Sequence, residues 1–180
     1  MKHPFVWLAA GRRGSVLASL VFVCVVLMIA LSVIGNGLTM KAQGVACGVY
    51  NIELPWSPER AASVVAAWRD GKQLGAAIEQ TRLDFLFLMI YPATLSLACV
   101  VSSGRCFGTI ATVGIVLSWA VLLCTPLDFI ENILILKMLG GDIQAPVPQL
   151  TSSVALAKLF LGGSAVVYLV FANILKKRHR

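Results

Sequence analysis

Charged residues are scarce in this chain. Only 13% of its 180 residues are charged, whereas 58% are hydrophobic. Soluble domains usually carry about 25% charged residues, so the deficit excludes an ordinary soluble domain and indicates a membrane protein. The length suits one compact bundle rather than two independent domains. The net charge of +7 does not indicate nucleic-acid binding, because so apolar a chain has no soluble face to present.

The chain also lacks the motifs that metal, redox and nucleophilic chemistry require. Its five cysteines include no C-x-x-C pair, and an odd, scattered set predicts neither a disulfide framework nor a redox motif. Both histidines, His3 and His179, lie near the termini, so no zinc site is expected. No H-E-x-x-H motif or phosphate-binding loop is present. We therefore predict no metal and no cofactor, and the sequence does not favour an enzyme.

Long hydrophobic stretches are what the chain has instead. Four of them can cross a hydrocarbon core of about 30 Å, and we predict spans over residues 16–34, 83–101, 106–127 and 153–175. The third helix should extend to residue 139, leaving the bilayer after Pro126 either kinked or in two pieces. A signal peptide is the competing interpretation of the first stretch. Its core is longer than the usual run of about 7–15 residues, and no A-x-A cleavage site follows it.

One long connection, residues 38–82, joins the first two spans. Its segment 49–56 is predicted to be extended. Ser57 is then expected to cap a short amphipathic helix that has Pro58 at its first position. Apolar side chains recur in that helix at helical spacing, at Ala61, Val64, Val65 and Trp68. We expect this helix either to lie on the bilayer or to cap the bundle, and residues 74–80 to resume a helix that runs into the second span.

The basic residues are distributed unevenly between the two ends of the spans. Four spans place both termini on one side, and the short segments on that side carry no acidic residue. The basic residues there are Lys2, Arg12, Arg13, Arg105, Lys176, Lys177, Arg178 and Arg180. Because positive charge is retained on the cytoplasmic side, we predict that both termini are cytoplasmic and that the 38–82 connection faces outward.

Polar residues within the spans are predicted to face protein. On the second helix, Asp84, Tyr91, Thr94 and Ala98 lie close to one face. The opposite face should contact lipid, and it carries Leu86, Met89, Ala93, Leu97 and Val100. Gly162 and Gly163 on the fourth helix would let a neighbouring backbone approach closely.

A charged cluster is the candidate site. Asp128, Glu131 and Asn132 lie at i, i+3 and i+4 on the third helix and so share one face. Counting from the cytoplasmic ends places Asp84 and Lys158 at nearly the same outer depth. One interpretation is an ion-paired network that fixes helix register, with Lys158 bridging Asp84 or Asp128. The other is an outward-facing binding or proton-handling pocket. Its lining would be Asp84, Tyr91, Asp128, Glu131, Asn132 and Lys158.

Four stretches of the chain carry a family resemblance. They are Glu53-Leu54 leading to Trp68, Asp84-Phe85-Leu86-Phe87 with Tyr91, residues 127–132, and Lys158. Together, over about residues 50–175, they resemble a family of small bacterial four-helix membrane proteins without known function. The resemblance implies a bacterial inner-membrane protein and implies no activity.

The combined prediction is an all-α, four-helix transmembrane bundle with an extra amphipathic helix in the first outward-facing loop. The function predicted first is an accessory or interaction protein of the lipid bilayer, with further copies of the chain or another membrane protein as partner. The alternative is a small-molecule or lipid-binding pocket, which an enzyme could also use, lined by Asp84, Asp128, Glu131 and Lys158. No nucleic-acid partner is expected.

Overall fold

The fold is all-α, and its long apolar helices confirm the predicted fold class. The structure, a computed structural model, describes residues 2–39, 41, 42, 45, 46 and 48–178. Within these residues, four helical segments are long and apolar enough to cross a membrane. They are Ala10–Gly35, Leu74–Ser103, Gly108–Leu139 and Val147–Ile174. Predictions that involve Met40, Gln43, Gly44, Cys47, His179 and Arg180 concern residues outside those described.

Over the described residues, the elements follow one another as seven α-helices with short connections. α1 is Arg13–Gly35, preceded by a 3-10 turn at Ala10–Arg12 and followed by another at Asn36–Thr39. Two-residue strands β1, Lys41–Ala42, and β2, Val45–Ala46, pair antiparallel. The remaining helices are α2, Val49–Glu53; α3, Pro58–Asp70; α4, Leu74–Ser103; α5, Gly108–Ala120; α6, Cys124–Leu139; and α7, Val147–Arg178.

The chain divides into two compact units. The terminal unit comprises the described residues up to Val25, Met89–Thr125, and the described residues from Lys158 onward. The loop unit comprises Val26–Leu88 and Pro126–Ala157. α1, α4, α6 and α7 each contribute residues to both units, and each unit has a core of its own.

α3 forms much of the core of the loop unit. The Ser57 hydroxyl accepts a hydrogen bond from the Arg60 backbone N–H at 3.3 Å, which confirms the predicted N-cap. Hydrogen bonds from that hydroxyl and from its own backbone lower the pKa of Glu59 in the first turn. The four predicted apolar residues of α3 are buried against Leu38, Ile52, Ala77, Ile135, Met138 and Leu139. The apolar face of α3 therefore packs on protein and not on a bilayer surface.

The prediction that segment 49–56 is extended was wrong, because its first five residues form α2. Gly48 is extended and precedes the helix, and one turn of helix brings Ile52 into the core of the loop unit. Pro55 then limits the helix, since a residue before proline disfavours the helical conformation. Tertiary packing of one side chain outweighs the β-propensity of the segment.

The third apolar helix is broken, as predicted, but upstream of Pro126. A 3-10 turn at Val121–Leu123 separates α5 from α6. Proline has no N–H to donate to the carbonyl four residues earlier, and its ring crowds that carbonyl. The preceding turn tightens as a result, and Pro126 lies within the first turn of α6, where proline is tolerated. Ser96 of α4 donates its hydroxyl hydrogen to the Ser118 carbonyl just before the break.

α7 begins six residues before the predicted start of the fourth span, at Val147. Pro146 and Pro148 would by themselves favour an open loop, but Pro148 occupies the first turn of α7, where its missing N–H removes no hydrogen bond. Gly141, with a φ of 104°, follows the end of α6. Its N–H donates to the Met138 carbonyl, and the Asp142 N–H donates to the Lys137 carbonyl. This is the arrangement expected of a glycine C-cap.

In the terminal unit, α4 is buried on more than one face. Leu97 and Val100, predicted to contact lipid, are buried together with Ser96 and Cys99. Leu86, which belongs to the loop unit, and Met89 are exposed as predicted. The predicted two-faced pattern therefore fails in the second half of the helix. The most apolar window of α4 is 44% buried, the largest share among the four apolar helices, so several faces of α4 contact protein.

Candidate functional site

A carboxylate and a carboxamide on two helices meet in the loop unit. The Asn132 side-chain N–H of α6 donates to a carboxylate oxygen of Asp84 on α4 at 2.8 Å. Beside them, the rings of Phe85 and Phe129 pack edge to face, with centroids 5.4 Å apart and planes at 80°. Edge-to-face aromatic pairs of this kind add about 0.5–1.5 kcal/mol beyond burial. The two contacts hold α4 and α6 in one register.

The two predicted acids of α6, Asp128 and Glu131, are deeply buried together with Asn132. Asp128 is 2% exposed, Glu131 is 0% exposed and Asn132 is 3% exposed. Their spacing at i, i+3 and i+4 explains this shared burial, because such residues lie on one helical face. The structure thus brings together four of the six predicted residues within the loop unit, as Asp84, Asp128, Glu131 and Asn132.

Lys158 and Tyr91 belong to the terminal unit. Lys158 lies on α7 and is partly buried, and its backbone carbonyl accepts a hydrogen bond from the Cys124 thiol at 3.7 Å. Tyr91 lies on α4 and packs against the core that contains Cys99 and Tyr168. Pairing of Lys158 with Asp84 or Asp128 stays a prediction.

A cavity of about 460 Å³ opens within the loop unit, and Asp84 and Asn132 are among its lining residues. Its walls come from α1, α2, α3, α4 and α6. Polar groups in the lining are Ser32, Asn36, Tyr50, Glu53, Gln80, Thr81, Asp84 and Asn132. Apolar groups are Met28, Leu31, Leu38, Val49, Ile52, Trp68, Ala77, Phe87 and Ile135.

This cavity differs in position from the predicted pocket, whose lining residues lie on the second, third and fourth helices. The first span forms one of its walls, whereas its described lining includes no residue of α7. Two predicted site residues, Asp84 and Asn132, line it. Tyr91, Asp128, Glu131 and Lys158 are not among its lining residues.

Several lining residues escaped the sequence reasoning, although their spacing held a signal. Ala77, Gln80, Asp84 and Phe87 recur at three- and four-residue intervals and so share one face of α4. The Gln80 side-chain N–H donates to the Leu31 carbonyl of α1 at 3.4 Å. Extending the polar stripe of the second span back from Asp84 would have found Gln80. Glu53 carried no comparable signal, because it lies in the segment predicted to be extended.

Gly35 explains how α1 and α4 approach each other in the loop unit. A side-chain carbon at this position would lie 2.6 Å from the Gln80 side-chain nitrogen. With glycine at this position the Gln80 amide rests against α1, whereas a side-chain carbon would make that amide shift. This contact forms one edge of the cavity.

No metal centre is visible in the part of the chain that the structure describes, where no group of three or more His, Cys, Asp or Glu side chains is arranged to hold an ion. No protein-family model, curated protein or solved structure matches the chain. Function is therefore inferred from the geometry of the cavity and of the helices around it.

Proposed function

We propose that this chain is an integral membrane protein that binds a small molecule or a lipid in the cavity of the loop unit. The cavity itself supports the proposal. Its volume of about 460 Å³ is typical of ligand pockets, which span about 300–1,000 Å³ and combine apolar walls with a few polar groups. Asp84 and Asn132, held together at 2.8 Å, supply such polar groups at one wall.

Binding is proposed rather than catalysis because of what these groups are. Acid–base catalysis requires a side chain positioned to exchange a proton with the substrate, whereas the carboxylate of Asp84 accepts a hydrogen bond from Asn132. A carboxylate bonded to a carboxamide instead presents a fixed polar surface to a ligand. The apolar walls around it would hold the rest of the molecule.

Filling the cavity from α1 tests this proposal. Ser32 lines the cavity, whereas its neighbour Val33 does not and is 71% exposed. The full-length protein in phosphatidylcholine nanodiscs is titrated calorimetrically with decylamine, decanol and decanoate, with empty nanodiscs as the baseline. We expect saturable binding of at least one probe. Ser32→Phe should weaken probe binding about tenfold or more. A tenfold loss of affinity corresponds to only about 1.4 kcal/mol, and each methylene of the probe that the new ring excludes from the cavity costs about 0.8 kcal/mol.

Val33→Phe is the matched control, since it adds the same ring one residue away on the same helix. Its affinity should equal that of the unmodified protein. Equal weakening by both variants would contradict the proposal, and so would the absence of saturable binding for all three probes.

The second candidate function is that of an accessory or interaction protein, which associates with itself or with another membrane protein. Gly162 and Gly163 of α7 favour it, because a side-chain carbon at either position would meet no atom within 4 Å. Exposed apolar residues surround them, at Leu159, Phe160, Val166 and Val167. The glycines would permit close approach of a second helix. The titration separates the two candidates, since association through α7 predicts no effect of Ser32→Phe.

Both termini are proposed to be cytoplasmic in a bacterial inner membrane. The excess of basic residues in the short segments on the side of the termini supports the orientation. The sequence resemblance to a bacterial family, of which the chain is proposed to be a member, supports the bacterial inner membrane. Single cysteines at two exposed positions test this orientation, Gly104 between α4 and α5 and Asp142 between α6 and α7.

In a variant without other cysteines, Asp142→Cys should react with an impermeant maleimide on intact cells. Gly104→Cys should react only after the membrane is permeabilised. The reverse pattern would place the termini outside.

A further inference from the structure

We propose that a groove in the terminal unit binds the phosphate group of an anionic phospholipid. This groove is a different site from the cavity of the loop unit, and the inference does not depend on the function proposed for that cavity. The groove has a volume of about 300 Å³. The polar side chains in its described lining are His3, Arg13, Ser103 and Thr112.

The charge of the terminal unit favours an anionic ligand. All eight Asp and Glu residues of the chain belong to the loop unit, so the terminal unit has no acidic side chain that could neutralise Arg13. Arg13 also forms no ion pair with any of the described residues. A half-buried guanidinium without a carboxylate partner is a place where an anion is stabilised.

Arg13 has hydrogen-bond donors left for such a ligand. Its Nε–H donates to the Leu8 carbonyl at 3.2 Å, which holds the side chain beside the start of α1. The terminal nitrogens of the guanidinium make no hydrogen bond to the described residues. A guanidinium fork matches the oxygens of a phosphate and binds them through parallel N–H···O bonds.

His3 and Thr112 add further donors. The Phe5 backbone N–H donates to Nδ1 of His3 at 3.1 Å, and Nδ1 must be unprotonated to accept it. Partial burial and the positive charge of Arg13 lower the pKa of His3, so near neutral pH the ring is neutral and carries its proton on Nε2. The Thr112 hydroxyl donates to the Gly108 carbonyl at 3.4 Å, which is long for a hydrogen bond, and this hydroxyl can turn to an anion instead.

The position of the groove favours a lipid over a free phosphate ion. Arg13 is the first residue of α1, Ser103 is the last residue of α4, and α5 begins at Gly108. The groove therefore lies where three apolar helices end or begin, and the ends of membrane-spanning helices lie at the level of the lipid head groups.

The segments that carry the groove also present apolar and basic side chains on their surface. Trp7 is 75% exposed and Phe107 is 92% exposed, and aromatic side chains of this kind are enriched at the boundary between membrane and water. Lys2, Arg12 and Arg105 are exposed in the same segments. Basic clusters beside membrane-spanning helices attract anionic lipids, so we commit to an anionic phospholipid as the occupant.

Two short-chain lipids with different head groups test the assignment. The full-length protein in phosphatidylcholine nanodiscs is titrated calorimetrically, at constant ionic strength, with dioctanoyl phosphatidylglycerol and with dioctanoyl phosphatidylcholine, and empty nanodiscs give the baseline. We expect saturable binding of phosphatidylglycerol. Phosphatidylcholine should show no saturable binding, because the basic groups around the groove repel its choline.

Arg13→Gln should weaken phosphatidylglycerol binding by about tenfold or more, since hydrogen bonds between charged groups are the strong ones. Arg12→Gln is the matched control. Arg12 is the preceding residue, is exposed and is not among the described lining residues. Its removal takes away the same charge and should change the affinity by less than about threefold.

A second pair of variants tests the groove without changing its charge. Thr112→Phe places a ring in the groove from an exposed position of α5 and should weaken phosphatidylglycerol binding to the same extent as Arg13→Gln. Val113→Phe adds the same ring at a neighbouring exposed position outside the described lining, and it should leave the affinity unchanged.

Equal weakening by Arg13→Gln and Arg12→Gln would attribute the binding to overall positive charge and would overturn the proposal, and so would equal binding of the two lipids. Sodium phosphate, titrated in the same way, distinguishes the sources of the anion. No saturable binding of phosphate supports the lipid, whereas saturable binding that Arg13→Gln removes would assign the groove to a soluble phosphate. Ser32→Phe should leave phosphatidylglycerol binding unchanged; a loss would place the lipid in the loop-unit cavity instead.

Discussion

Trp68→Ala is expected to lower the free energy of unfolding by about 3–5 kcal/mol, the usual cost of truncating a buried tryptophan. Trp68 is 1% exposed and packs in the core of the loop unit with Ile52 of α2 and with Ile135 and Met138 of α6. Its removal leaves a void among residues from several helices, which rigid helices cannot close. Thermal and denaturant-induced unfolding in detergent micelles, followed by circular dichroism, measures the loss.

Trp7→Ala is the control for this substitution. Trp7 is 75% exposed, so the same truncation should change the free energy of unfolding by less than about 1 kcal/mol. A comparable loss for the two variants would mean that α3 does not pack into the core as described. It would also mean that Trp68 of α3 does not form a wall of the cavity.

Gly114→Ala is expected to destabilise the terminal unit by about 1–3 kcal/mol, as overpacking of a close contact does. A methyl group on Gly114 of α5 would overlap the hydroxyl of Tyr168 on α7 and would lie 2.8 Å from the side-chain carbon of Ser103 on α4. Glycine is therefore the residue that lets three helices meet. Unfolding in detergent measures the effect.

A double-mutant cycle with Tyr168→Phe identifies the cause. The Tyr168 hydroxyl is buried without a hydrogen-bond partner among the described residues, so removing it should cost little alone and should recover part of the Gly114→Ala loss. Gly163→Ala, where a side-chain carbon would meet nothing within 4 Å, should be neutral or stabilising. Additive effects in the cycle would exclude the Gly114–Tyr168 contact as the source.

The four long helices could be predicted from the sequence because a membrane demands long apolar runs and satisfied backbone groups. Local chemistry was equally readable at Ser57, because an N-cap favours a short polar side chain. Prediction was wrong where packing decides. Burial of Ile52 stabilises its segment as a helix. α7 starts at Val147 because Pro148 suits the first turn of a helix as well as a loop.

The candidate site was predictable only in part. Asp84 and Asn132 are polar residues in apolar surroundings, and counting residues from the cytoplasmic end of each span placed them at similar depth. The walls of the cavity depend on which helices pack side by side, and periodicity within one helix does not contain that information. The participation of α1 through Gly35 follows from a contact between residues 45 positions apart, Gly35 and Gln80, which a single sequence does not show.

α1 has a consequence for how fast a ligand exchanges. None of its residues is buried, although Met28, Leu31, Ser32 and Gly35 form one side of the cavity. Its bond from Gln80 to Leu31 spans 3.4 Å, which is long for a hydrogen bond. A segment with so few buried contacts opens at a low free-energy cost. For the proposed ligand-binding function, α1 is thus the wall of the cavity that packs least tightly against protein, and we expect a ligand to enter and leave along it.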